Sequence, residues 1–179
     1  MRVPVLAAIL FGASAISTSV MAQETKHDHQ HPTAPPSAAL KPFKALAGDW
    51  VGKMEEDPSG EEKVTNYKVT SNGSTVVETM CVGTPMEMVT IIHSDGDDLV
   101  LTHYCAIGNQ PKMKTSGKPQ EGKAEFKFVS ATNLKSDKDM HMHDVTFHFI
   151  DKDTLKIVWT NYDQGKAAGL ATINLKRKK

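Results

Sequence analysis

At two places in the sequence, a pair of histidine or cysteine residues two positions apart could hold a metal ion or line a polar pocket. His141 and His143 occur in "MHMHDVTFHF", and His103 and Cys105 occur in "LTHYC". Alternate residues of a β-strand share a face, so each pair can point at one ion or one ligand. Imidazole and thiolate together suit zinc or copper. A single H-x-H pair is a weak pattern, which favours the other interpretation, polar side chains hydrogen-bonded at the end of a strand.

A third histidine group lies in "HDHQH" near the N-terminus. His27, His29 and His31 belong to a polar segment rich in His, Pro and Ala, residues 23–40, which has no hydrophobic period and is typical of a disordered leader. Flexible histidine tracts bind zinc, copper or nickel loosely, but chelation costs conformational entropy. Metal capture and a merely polar linker are therefore both open interpretations of this segment.

The first 22 residues have the features of a secretory signal peptide. Arg2 supplies a positive start, residues 5–16 are apolar, and Val20 and Ala22 fit the positions before a cleavage site. Cleavage would remove one of the 21 basic side chains and none of the 21 acidic ones. The sequence therefore predicts an exported, soluble protein of the periplasm or medium, with no nucleic-acid partner and no integral membrane association.

Short alternating runs with turn residues between them fill the rest of the chain. Turn signals such as Ser71-Asn72-Gly73 separate the runs, and residues 40–46 fit one short helical turn. Because closure removes exposed edges, we predict one all-β domain, residues 41–179, folded as an antiparallel up-and-down barrel of about ten strands. The predicted strands are 48–54, 63–70, 75–82, 86–93, 99–105, 111–116, 124–130, 141–150, 154–161 and 168–176.

The first predicted strand carries a motif with a known counterpart. "GDWVG", residues 48–52, resembles the G-x-W-x-G of calycin-like barrels, which include lipocalins, fatty-acid-binding proteins and the nitrobindin-like group. Residues 43–179 also resemble uncharacterised exported bacterial proteins with a lipocalin-like fold, especially around "VVETMCVGTPMEMVTIIHSDGDDLVLTHYCAIGNQPKM". The resemblance implies a cavity-forming calycin-like barrel in which Trp50 packs near the closed end under a basic residue of the last strand, here Arg177. It implies no settled activity.

The nitrobindin-like resemblance would suggest haem held by a histidine late in the barrel. No histidine follows His148, and the last two strands offer Trp159 and Tyr162 instead. We therefore expect no haem, and zinc or copper is the only cofactor that the residues suggest. No nucleophile elbow, zinc-protease motif or nucleotide-binding loop appears, so we expect a binding protein rather than an enzyme.

Up-and-down alternation assigns the chemically interesting residues to one open end of the barrel, provided that 111–116 is a strand. Glu78 and Met80 share an inward face with Val76. The residues predicted to contact a ligand are Glu78, Met80, His103, Cys105, His141, His143 and Trp159. Those that could hold a metal are His27, His29, His31, His103, His141 and His143.

Cys81 and Cys105 are the only cysteines. An exported pair suggests a disulfide. In a meander, however, the two cysteines stand two strands apart, about 10 Å, whereas a bridge needs Cα atoms within about 7 Å, so bridging would require strand ends that bend inward. The main functional hypothesis is a barrel that holds a small hydrophobic or amphipathic ligand. The alternative is zinc or copper handling by the leader and the mouth histidines.

Overall fold

Residues 36–115 and 120–179 are described by a computed structural model, in which ten antiparallel strands close into a barrel. Each strand pairs with the next, and the last closes on the first. This confirms the all-β up-and-down barrel. The strands are β1 (Gly48–Met54), β2 (Lys63–Thr70), β3 (Thr75–Met80), β4 (Met88–Asp95), β5 (Asp98–Tyr104), β6 (Gln110–Thr115), β7 (Lys123–Thr132), β8 (His141–Asp151), β9 (Thr154–Asp163) and β10 (Lys166–Arg177).

A short helical segment plugs one end of the barrel. A 3₁₀ turn at Ala38–Leu40 leads into helix α1 (Lys41–Lys44). Phe43 inserts its ring among the rings of Phe126, Phe147 and Phe149, at centroid distances of 5.8, 5.0 and 5.1 Å. Edge-to-face aromatic packing of this kind stabilises a plug. Within residues 36–115 and 120–179, no helix is long and apolar enough to cross a membrane.

The folded domain starts slightly earlier than the predicted boundary at residue 41. Leu40 is fully buried, and the backbone N–H of Ser37 donates to the Ser94 hydroxyl at 2.9 Å. The sequence hides this because Leu40 is a lone apolar residue behind a run of Pro, Ser and Ala. The predicted signal peptide and the leader up to residue 35 lie outside the described residues.

The same end of the barrel is tied together by Arg177. Its guanidinium lies over the buried Trp50 ring, 4.4 Å from the centroid. It donates to the carbonyl oxygens of Ala45 at 2.8 Å and Ala47 at 2.9 Å, while Trp50 Nε1 donates to Leu46 O at 2.7 Å. Since Trp50 and Arg177 are Cα partners on adjacent strands, one side chain links the last strand to the chain that enters the first.

At the opposite end of the barrel, which no helix of the described residues covers and which we call the open end, β7 and β8 separate. These strands pair only where Lys123–Phe126 face Val145–His148. Above that point Asp144 Oδ1 accepts from the Phe128 backbone N–H at 3.1 Å, in place of a ladder bond. A bulge between Met142 and Asp144 adds one residue to β8. Such a bulge bends the strand and disturbs the alternation of faces, so the expectation that alternate residues share a face does not hold between Met142 and Asp144.

Candidate functional site

Four polar side chains form an arc across adjacent strands inside the barrel. Tyr67, Glu78, Thr90 and His103 lie on β2, β3, β4 and β5, and each is the Cα partner of the next. All four are buried. Because alternate residues of each strand face inward, the register alone places these groups side by side at one level of the barrel. We call these four residues the polar arc.

Internal hydrogen bonds satisfy only part of the polar arc. The Tyr67 hydroxyl donates to Glu78 Oε1, and Thr90 Oγ1 lies 3.0 Å from His103 Nδ1. The indole of Trp159, on β9, packs against the His103 ring with the centroids 4.7 Å apart.

Of the five buried side-chain polar atoms without a hydrogen-bond partner among the described residues, three lie here: Glu78 Oε2, His103 Nε2 and Trp159 Nε1. Buried polar atoms without a partner are rare and cost about 1–3 kcal/mol each. Their concentration at the polar arc and the ring packed on it therefore marks this level of the barrel as a candidate site.

Burial shifts the acid–base chemistry of the arc. It raises the pKa of Glu78, although the neighbouring Tyr67 and Thr90 hydroxyls act in the opposite direction. It also lowers the pKa of His103 to about 4, because the imidazolium form is poorly solvated there. Among the described residues, no lysine or arginine is buried. The interior therefore offers a carboxyl group and a neutral imidazole, with no cation beside them.

Sulfur-containing side chains lie between the polar arc and the open end. Met80 and Met88 are Cα partners one level above Glu78 and Thr90, and both are buried. Cys105 packs partly buried against the same core. Cys81 and Cys105 carry free thiols. Methionine side chains are flexible and apolar, so this layer can rearrange around a ligand.

His141 and His143 lie in a different place from His103. They line a cleft of about 500 Å³ together with Phe128, Asp137 and Tyr162. None of the polar-arc residues belongs to this cleft. Among residues 36–115 and 120–179, no three histidine, cysteine or carboxylate side chains form a metal-binding group. The structure therefore does not bring His103, His141 and His143 together as a three-ligand site.

A second cavity, of about 350 Å³, lies beside α1 at the plugged end. Its walls include Phe43, Leu99 and Phe149, and Lys123 and Glu125 at its margin are paired at 2.7 Å. The described residues that line it include none of the unpartnered buried polar atoms. We therefore place the candidate site at the polar arc rather than here.

The other residues that the sequence predicts to contact a ligand or a metal ion do not all lie in one place. Glu78, His103 and Trp159 meet inside the barrel, with Met80 directly above. His27, His29 and His31 lie outside the described residues.

Sequence reasoning missed Tyr67 and Thr90 as members of the site. Thr90 shares residue parity with Met88 and Ile92, and Tyr67 shares it with Thr65. This parity is visible in the sequence, but the cross-strand register that places both residues beside Glu78 is not.

Comparison with known proteins supports the fold. No protein-family profile and no curated protein matches the sequence. The chain resembles the crystal structure of Rv2717c from M. tuberculosis, with 14% sequence identity, coverage of 81% of this chain and 100% of that chain, and a TM-score of 0.56. At this identity the likeness concerns the barrel fold, which is consistent with a calycin-like architecture, and the function has to be argued from the residues of this chain.

Proposed function

We propose that this protein is an exported binding protein that holds one small, uncharged, amphipathic ligand inside the barrel. The observation that carries the proposal is the set of three buried, unpartnered polar atoms, Glu78 Oε2, His103 Nε2 and Trp159 Nε1. The indole can only donate, whereas a carboxylate oxygen accepts and an imidazole nitrogen does either according to tautomer. A ligand hydroxyl or amide, which both donates and accepts, matches this set.

The absence of a buried cation among the described residues argues for an uncharged ligand. A carboxylate ligand would lose its hydration on entering the barrel and would face Glu78 without a lysine or arginine to compensate. A neutral alcohol or amide has a much smaller desolvation cost, which hydrogen bonds to the unpartnered atoms offset. The same reasoning disfavours phosphorylated and sulfated ligands.

The apolar part of the ligand would lie against the layer above the polar arc. Met80 and Met88 are inward-facing neighbours there, and their unbranched thioether side chains adapt to different shapes. Access from the open end requires these side chains to move, which costs less for methionine than for β-branched residues.

Export is supported by the signal-peptide pattern of residues 1–22, and N-terminal sequencing of protein recovered from the periplasm or medium tests it.

The experiment compares two probes of equal chain length, 1-octanol and octanoate, by isothermal titration calorimetry with the mature protein. We expect octanol to bind at least about tenfold more tightly, equivalent to about 1.4 kcal/mol. Equal affinities, or tighter binding of octanoate, would contradict an interior selective for uncharged ligands.

Two variants locate the binding. Glu78→Gln keeps an acceptor for the Tyr67 hydroxyl but places an amide N–H₂ where Oε2 accepts. The octanol hydroxyl then loses this acceptor, so octanol affinity should fall by about fivefold to tenfold. Met86→Ala, in the loop after β3 and 55% exposed, is the matched control and should bind as the wild type does. Unaltered affinity in Glu78→Gln, with the fold intact by circular dichroism, would place the ligand elsewhere.

A further inference from the structure

The two histidines at the start of β8 form a hydrogen-bonded pair in which the tautomer of His141 is fixed. His141 Nδ1 lies 2.8 Å from the Asp139 carbonyl oxygen, and His141 Nε2 lies 3.0 Å from His143 Nδ1. A carbonyl oxygen only accepts, so His141 Nδ1 must carry the hydrogen. In the neutral ring, His141 Nε2 then accepts a hydrogen bond from His143 Nδ1–H. An ion shared by these two nitrogens takes the place of that hydrogen, and His143 then carries its proton on Nε2 instead. An N–H bound to a backbone carbonyl is also the usual support for a histidine that coordinates a metal.

Aromatic packing holds the second histidine in position. The His143 ring stacks between Phe128, at 4.4 Å and 16°, and Tyr162, at 3.6 Å and 13°. The bulge between Met142 and Asp144 produces this placement, because it adds one residue to β8 and so disturbs the usual i, i+2 alternation. Both imidazoles are therefore oriented before any ligand arrives, which lowers the entropic cost of binding.

We propose that His141 and His143 form an open, two-histidine binding site for a divalent transition-metal ion, with copper(II) preferred. Metal–imidazole bonds are about 2.0–2.1 Å, so nitrogens 3.0 Å apart subtend about 94° at a shared ion. That angle fits square-planar or tetragonal coordination by nitrogen and oxygen, which copper(II) and nickel(II) favour, better than the tetrahedral geometry of zinc. Copper(II) also leads the general affinity order among divalent ions.

The cleft leaves room for the other ligands. Its volume of about 500 Å³ exceeds what the ion and several waters need, and Ser136 and Asp137 line the same space. No third histidine, cysteine or carboxylate of the described residues is already grouped with the pair. The remaining coordination positions are therefore filled by water, with the Asp137 carboxylate available from the cleft wall. This site shares no residue with the polar arc, so it stands or falls independently of the proposed function.

The test uses the full mature chain with His27→Ala, His29→Ala and His31→Ala, which removes the histidines of the leader as competing ligands. Copper(II) is titrated and followed by electron paramagnetic resonance, and nickel(II), which thiols do not reduce, is titrated in parallel by calorimetry. We expect one ion per chain and a copper spectrum with nitrogen couplings from two imidazoles. We expect nickel to bind more weakly at the same stoichiometry.

Variants of the pair decide the assignment. His143→Phe keeps an aromatic ring between Phe128 and Tyr162 but has no ligand atom, and it should lower copper affinity at least about tenfold. His143→Ala provides a second variant, and His148→Ala, on the same strand but outside the cleft, is the control and should leave affinity unchanged. Wild-type copper affinity in both His143 variants, a spectrum without two nitrogen ligands, or no binding to the parent chain would overturn the proposal.

Discussion

Acidification from pH 7 to pH 5 should destabilise the folded protein through His103. Burial beside Trp159 lowers the pKa of His103 to about 4, whereas the unfolded chain has the ordinary histidine value of about 6.5. Between these two values the unfolded chain binds a proton that the folded protein does not. The free energy of unfolding therefore falls as pH decreases through this window.

The magnitude follows from the difference in pKa. At 1.36 kcal/mol per pKa unit, a change from about 6.5 to about 4 corresponds to about 3.4 kcal/mol in full, of which about 2 kcal/mol is lost between pH 7 and pH 5. Glu78 acts in the opposite direction. Its raised pKa means that the folded protein takes up a proton before the unfolded chain does, so acidification stabilises the fold through this group. A variant must therefore separate the two contributions.

The assay is urea unfolding at pH 7 and pH 5 of the wild type and of His103→Asn. Asparagine does not titrate and keeps a polar group near the position of Nδ1, which contacts Thr90. The wild type should lose about 2 kcal/mol more than the variant on acidification. His93→Asn, at an exposed position, is the matched control for the replacement of a histidine by asparagine. If wild type and His103→Asn lose the same stability, the account of a buried, neutral imidazole is wrong.

Three further predictions concern the frame that positions the site. Gly52→Ala should abolish folding or cost more than about 3 kcal/mol in thermal unfolding, because its Cβ would lie 1.9 Å from the backbone oxygen of Asn174. The control Gly169→Ala, whose Cβ would meet nothing within 4 Å, should change stability by less than about 0.5 kcal/mol. Arg177→Met should cost about 2–3 kcal/mol by the same measurement, since it removes the guanidinium from Trp50 and from several carbonyl oxygens. The control Lys176→Met, exposed on the same strand, should cost less than about 1 kcal/mol. Equal losses of stability in the two variants would contradict the role of Arg177. Thiol titration of the unreduced, unfolded protein should count two thiols, and a count near zero would show that Cys81 and Cys105 are bridged.

The strands were predictable because turn chemistry and alternation are local properties of the chain. Residues such as Ser71-Asn72-Gly73 adopt conformations that few other residues tolerate, with Ser71, Asn72 and Gly73 all at positive φ. Ten such punctuated runs leave few topologies other than a closed meander. The packing of Arg177 on Trp50 was accessible only through the likeness of "GDWVG" to calycin-like barrels, since nothing local pairs two residues so distant in sequence.

The arrangement of the candidate site was less predictable because it depends on register. The sequence shows that Glu78 and His103 face inward, but not that Tyr67 and Thr90 stand beside them, since this requires the offset of neighbouring strands. The position of His141 and His143 was missed for a related reason. The extra residue in β8 shifts the pairing of this strand with β9, but it leaves no visible mark on the alternation of residue types in the sequence.

The central claim is that the polar arc receives the polar group of a ligand inside the barrel, and a crystal structure of the mature protein with 1-octanol tests it most directly. The account predicts the octanol hydroxyl about 3 Å from Glu78 Oε2, His103 Nε2 or Trp159 Nε1, with the alkyl chain beside Met80 and Met88. Octanol bound only outside the barrel would contradict it. Contacts only to water at Glu78 Oε2, His103 Nε2 and Trp159 Nε1, in crystals soaked to saturation, would contradict it as well.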